Sequence, residues 1–92
     1  MAAIHSFRTT FNKNGNITIT FFEGTKRRDI KLVKGTAAEH DYYQMHRTLE
    51  ERLDSDEAAT RLALKHLRRD YIFKKHPNND SVFYPTAKSS AV

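Results

Sequence analysis

The chain has 92 residues, 38% of them hydrophobic, and 16 Lys and Arg against 11 Asp and Glu leave a net charge of +5. A chain this short buries only about 60% of the surface it exposes when unfolded, so it has material for one modest core and not for a second domain. It contains no cysteine, which excludes disulfides and thiolate metal sites. No apolar run approaches the roughly 18 residues of a membrane helix, and residues 1–11 lack the apolar centre of a secretion signal, so a soluble cytoplasmic protein is expected.

The first third alternates like strand. Phe7, Thr9 and Phe11 share one face of a first run, and Ile17, Ile19 and Phe21 share one face of a second. A two-residue Asn14-Gly15 turn would pair Phe11 with Thr18 and split the apolar residues between faces. A three-residue loop, Lys13-Asn14-Gly15 with Gly15 left-handed, instead pairs Phe11 with Ile17, Thr9 with Ile19 and Phe7 with Phe21. A further turn at Glu23-Gly24-Thr25-Lys26 leads into Arg28–Val33, where Ile30 and Leu32 extend the apolar face. Thr18, Thr20, Arg8 and Lys31 fall on the opposite, polar face, which completes a three-stranded antiparallel meander.

Thr36-Ala37-Ala38-Glu39 has capping-box spacing and opens a helix with Tyr42, Met45, Leu49 and Leu53 on one stripe. Asp54-Ser55-Asp56-Glu57 starts a second helix after a tight corner, with acids where the helix dipole favours them. There Ala63, Leu64, Leu67 and Tyr71 form the apolar stripe, and His76-Pro77-Asn78-Asn79 is the stop. Residues 81–85 read as a short extended segment able to cover an edge strand or a helix gap. The expected architecture is α+β: a three-stranded meander, two helices on one sheet face, one domain over residues 1–85 and a disordered tail over 86–92. Lys31 and Lys34 beside the third strand discourage edge pairing, which favours a monomer.

The five histidines show no metal-ligand spacing. His40 and His46 are six apart and diverge on a helix, and Glu39-His40-Asp41 alone does not converge, so no metal or other cofactor is expected. The carboxylates at Glu50-Glu51 and Asp54–Glu57 sit at helix ends, where capping explains them. There is no GxxxxGK[ST] or GxGxxG loop to cradle a phosphate. A metal-independent ribonuclease or toxin with a histidine base and a basic neighbour stays open as a minor alternative, although no spacing selects the histidine.

The charge is blocked along the chain. Residues 1–35 are basic, residues 36–60 acidic, and residues 61–92 basic again. Two basic clusters stand out: Lys26, Arg27, Arg28 and Lys31 at a hairpin tip, and Arg61, Lys65, Arg68 and Arg69 on the second helix, followed by Lys74 and Lys75. Arg61, Lys65 and Arg68 share a helix face and form a stripe roughly 10 Å long. Both clusters suit a polyanion, and the acidic middle block suits a basic protein groove. Phe22, Tyr71, Phe73, Phe83 and Tyr84 are candidates for stacking on bases, with core packing as the alternative.

The short cysteine-free chain, the hairpin NKNGNITITF, the tip TKRR, two charged helices and the segment RRDYIFKK together resemble small phage-encoded anti-CRISPR proteins that act on type I surveillance complexes. The resemblance implies a non-catalytic inhibitor that docks on a CRISPR RNA–protein surveillance complex, made of Cas proteins and guide RNA, and blocks hybridisation of target DNA. A plain DNA- or RNA-binding regulator is the alternative.

Overall fold

The computed structural model describes residues 3–88. Strand β1 (Ile4–Phe11), β2 (Ile17–Glu23) and β3 (Lys26–Leu32) are followed by helices α1 (Ala37–Leu53) and α2 (Asp56–Asp70), then by β4 (Tyr71–His76) and β5 (Asn79–Ala87). The fold is α+β, and β1 to β3 form the expected meander. The sheet, however, has five strands in the order β1-β2-β3-β5-β4.

The first hairpin takes the three-residue loop. Phe11 pairs with Ile17 and Thr9 with Ile19, and Gly15 sits at φ +94°. Toward its start β1 departs from the simple ladder: Ser6 and Phe7 together stand opposite Phe21, because His5 pairs with Phe22 and Arg8 with Thr20. Ser6 takes φ +60° to make this bulge, and it costs one step of alternation. Phe7 keeps its stack on Phe21, with ring centroids 5.8 Å apart. The residues before it change sides, so Ile4 joins the helix side and His5 lies beside Phe22 on the other face.

At the second turn Glu23 pairs with Lys26, and Gly24 at φ +66° supplies the first position of a two-residue hairpin. On the inward face Ile17, Ile19, Phe21, Ile30 and Leu32 are buried against Ala38 and Tyr42 of α1 and Ala63, Leu64 and Leu67 of α2. Both helices therefore lie on one face of the sheet, as the apolar alternation requires.

The helix ends follow their signals. Thr36 Oγ1 accepts the Glu39 N–H at 3.3 Å, while Glu39 Oε1 reaches back to the Gly35 N–H rather than to that of Thr36. Asp54, at φ 51° and ψ 39°, closes α1 by donating its N–H to Glu50, and Ser55 Oγ caps α2 at Ala58 N. Only two residues separate the helices.

The last third corrects the sequence reading. The second helix ends at Asp70, so Tyr71 opens a strand instead of closing the helix stripe. Tyr71-Ile72-Phe73 is a β-prone run, and Pro77-Asn78 is the turn of a hairpin. The expected extended segment does cover the free edge of β3, in parallel, with Asp29 opposite Val82 and Ile30 opposite Phe83. That ladder is short, since Pro85 has no N–H with which to continue it. β5 runs through Ala87, past the expected boundary at residue 85, and the Lys88 N–H bonds to Asp70 O. The remainder of the expected tail, 89–92, lies outside the described residues. No helix among the described residues is long and apolar enough to cross a membrane.

Candidate nucleic-acid interface

Alternation that buries Ile17, Ile19, Ile30 and Leu32 must turn the intervening side chains to the other side of the sheet. No helix among the described residues packs there. One row across four strands is Arg8, Thr20, Asp29 and Val82, and a second links His5, Phe22 and Arg27. Lys31 and Thr18 pair on the same face, and Lys74 pairs with Tyr84. Arg8, Arg27, Lys31 and Lys74 are exposed, while Phe22 and Tyr84 are half-buried.

Asp29 is the acid at the centre of this face, and it is already engaged: it accepts from Thr20 Oγ1 at 2.8 Å and from Arg27 Nε at 3.2 Å. Arg8, Lys31 and Lys74 enter none of the ion pairs found among the described residues. Beyond Lys31 the face continues into a polar recess of about 440 Å³ whose lining includes Asn12, Lys13, Asn16 and Thr18. The aromatic rings each have an imidazole neighbour, His5 at 6.0 Å from Phe22 and His76 at 5.5 Å from Tyr84. Basic side chains and half-buried rings that share one open sheet face can hold phosphates and stack bases together.

The ten basic residues singled out in the sequence do not all share this face. Arg27, Lys31 and Lys74 lie on it. Lys26 stands at the hairpin end, 3.3 Å from Asp80, where its ammonium holds the Asp80 carboxyl below the usual range. Lys75 is exposed near the same carboxylate, which its charge also stabilises. Arg28 turns inward: its side chain is 14% exposed, with Nε 3.1 Å from Glu23 and Nη1 donating to Asp80 O at 2.7 Å. Arg61, Lys65 and Arg68 form their exposed stripe on α2, on the helix side, and Arg69 is exposed beside them. Members of both clusters share the open face, Arg27 and Lys31 with Lys74, and Arg28 and Arg68 line one cavity. The ten do not form a single basic face, because Arg61, Lys65, Arg68 and Arg69 lie on the helix side.

Three groups were missed in the sequence. Arg8 belongs to the polar face by its alternation with Phe7 and Thr9, and it stands outside the two basic runs that the sequence singles out. The second is a polar connection through the core. Thr9 Oγ1 lies 2.5 Å from Tyr42 OH and 2.6 Å from Thr60 Oγ1, and the Thr9 N–H donates to Asp56 Oδ2 at 3.3 Å. Burial pushes the Tyr42 phenol up to about 12. The third is His46, only 1% exposed, whose Nε2 donates to Asp56 Oδ1 at 2.9 Å. Glu50 joins them, so that these three residues place one ligand atom each within 4.8 Å of one another. Pairing His40 with His46 in the sequence overlooked this contact, because its third member comes from the next helix. Asp56 already uses both oxygens to tie α1 and β1 to the start of α2, a structural role.

His5 lines a recess of about 330 Å³ with Glu57 and Arg61. Its Nε2 donates to Gly24 O at 2.8 Å, which leaves Nδ1 to accept from Ser6 Oγ at 2.7 Å. Neither ring nitrogen can take a substrate proton without giving up a bond. Comparison of the chain with protein-family models, with curated proteins and with solved structures returned no match in any of the three.

Proposed function

We propose that the protein is a non-catalytic binding protein that lays the open face of its sheet on nucleic acid held within a nucleoprotein. The observation that carries this reading is that Arg8, Lys31 and Lys74, which enter no ion pair among the described residues, share with Phe22 and Tyr84 a face that no helix of the described residues covers. The resemblance seen in the sequence narrows the target to a CRISPR RNA–protein surveillance complex, with the face covering the guide path so that target DNA does not hybridise. Exposed acids distributed around α1, Asp41, Glu50 and Glu51, offer contacts to basic protein grooves.

The test is a band-shift of labelled target DNA by a purified type I surveillance complex with the protein added. Inhibition by the wild type, lost in K31E/K74E and retained in R69E, is the expected result. A double variant that inhibits as well as the wild type would overturn the assignment of the face. The half-exposed rings also favour a plain single-strand-binding regulator. That second reading predicts equally tight retention of a bare 12-nucleotide strand, whereas the first predicts weak retention until the complex is present.

A further inference from the structure

We propose that the cavity on the helix side of the sheet is a binding site for a small apolar carboxylate, distinct from the open face. The cavity has a volume of about 430 Å³, within the range of roughly 300–1,000 Å³ that small-molecule sites occupy. Its walls are Ile30 and the rings of Phe21, Phe73 and Phe83, with Ile4 closing one side. Ile4 reaches it only because the β1 bulge shifts the alternation. A second cavity of about 210 Å³ shares Ile4 and Arg68 and adds Phe7 and Leu64, so the apolar floor continues beneath α2.

Within the two linings the unpaired charge is positive, and Tyr71, which also lines the larger cavity, donates its hydroxyl to Asp41 at 3.2 Å. Among the described residues Glu23 is the only acid in either lining, and Arg28 Nε holds it at 3.1 Å. Arg28 is in turn fixed by the Asp80 carbonyl at 2.7 Å and lies over Phe83 at 5.8 Å. That guanidinium is spent on structure. Arg68 lies over Phe73 at 5.8 Å and takes part in no ion pair among the described residues. Arg61 and Lys65 flank it on the smaller cavity. An apolar body on the aromatic wall, with its carboxylate in the free fork of Arg68, matches both features. A cationic head would meet Arg61, Lys65 and Arg68 together, and a neutral one would leave the fork without a partner.

The experiment is calorimetric titration of the full chain with decanoate, decyltrimethylammonium and decan-1-ol below their aggregation limits. Decanoate should bind with one site per chain and about tenfold more tightly than either analogue, the size of one charge-assisted contact. R68Q should remove that advantage and leave decan-1-ol binding unchanged. R69Q, at the next exposed position and lining neither cavity, should bind decanoate like the wild type. I4Q, at a side chain 45% exposed, should weaken all three ligands while the circular dichroism spectrum stays native. Decanoate binding no tighter than the cationic analogue, or equal losses in R68Q and R69Q, would overturn the proposal. Because the open face lies across the sheet, K31E/K74E should leave decanoate binding untouched even if that variant abolishes nucleic-acid binding.

Discussion

Thr9 occupies a position on the inward face of β1 between two phenylalanines, and its hydroxyl is the hub joining the strand to both helices through Tyr42 and Thr60. Thr9→Val keeps the shape and strands two buried hydroxyls, so it should lower unfolding free energy by about 1–3 kcal/mol in urea titrations. Tyr42 adds a pH dependence. Its phenol titrates near 10 when unfolded and at about 12 when folded, so the folded state holds the proton over that interval and the unfolded state does not. Stability should be intact below pH 10 and fall as pH rises toward 12, by up to about 1.4 kcal/mol per unit. Tyr42→Phe should flatten that limb. Arg28 shows why residues of one basic run differ. It joins β2 to β5, and Arg28→Met should cost about 1–2 kcal/mol. Arg27→Met, whose side chain is 63% exposed, should stay within about 0.5 kcal/mol.

At the scale of elements, the corner between the helices rests on two adjacent residues with different duties. Asp54 is left-handed and carries a negative charge at the end of α1, where the dipole opposes it. Asp54→Gly should therefore stabilise the fold by about 0.5 kcal/mol once the added freedom of the unfolded chain is counted, read as a higher thermal midpoint. Ser55 caps α2, and Ser55→Ala should cost about 1 kcal/mol. β1 is an edge strand, and two devices guard it: the Ser6 bulge twists it, and Asp56 occupies the Thr9 N–H that would otherwise face a neighbouring chain. β4 forms the other edge, where exposed Lys74 and Lys75 discourage pairing.

For the whole molecule, the sheet works as a partition. The net charge of +5 is divided between an open face with Arg8, Lys31 and Lys74 and a helix side with Arg61, Lys65 and Arg68, about 10 Å or more apart by the thickness of packed layers. A phosphate backbone on the open face releases counterions for each base it meets. Lys31→Gln and Lys74→Gln should each reduce the slope of log affinity against log salt for a single strand by about 0.7, measured by fluorescence anisotropy, and Arg61→Gln should not change it.

Much of this was legible in local pattern. The α+β class, the register of the first hairpin, both helix starts and the polar face of the meander follow from periods of 2 and 3.6 and from turn and capping chemistry, which act over a few residues. The end of α2 was not legible in the same way. Tyr71 fits the helix stripe by spacing, and only the free edge of β3 and the partner run at Val82–Tyr84 make a strand there the better way to satisfy backbone groups. The candidate sites divide along the same line. Runs of Lys and Arg are visible in the chain, but which of them face together depends on which side of the sheet each residue takes. Arg8 sharing a face with Lys31, Arg28 turning to Asp80, and Ile4 crossing to the helix side through one bulged residue all depend on pairing between segments distant in sequence. The chain determined its elements by short-range chemistry; tertiary pairing decided how its +5 was divided between two surfaces.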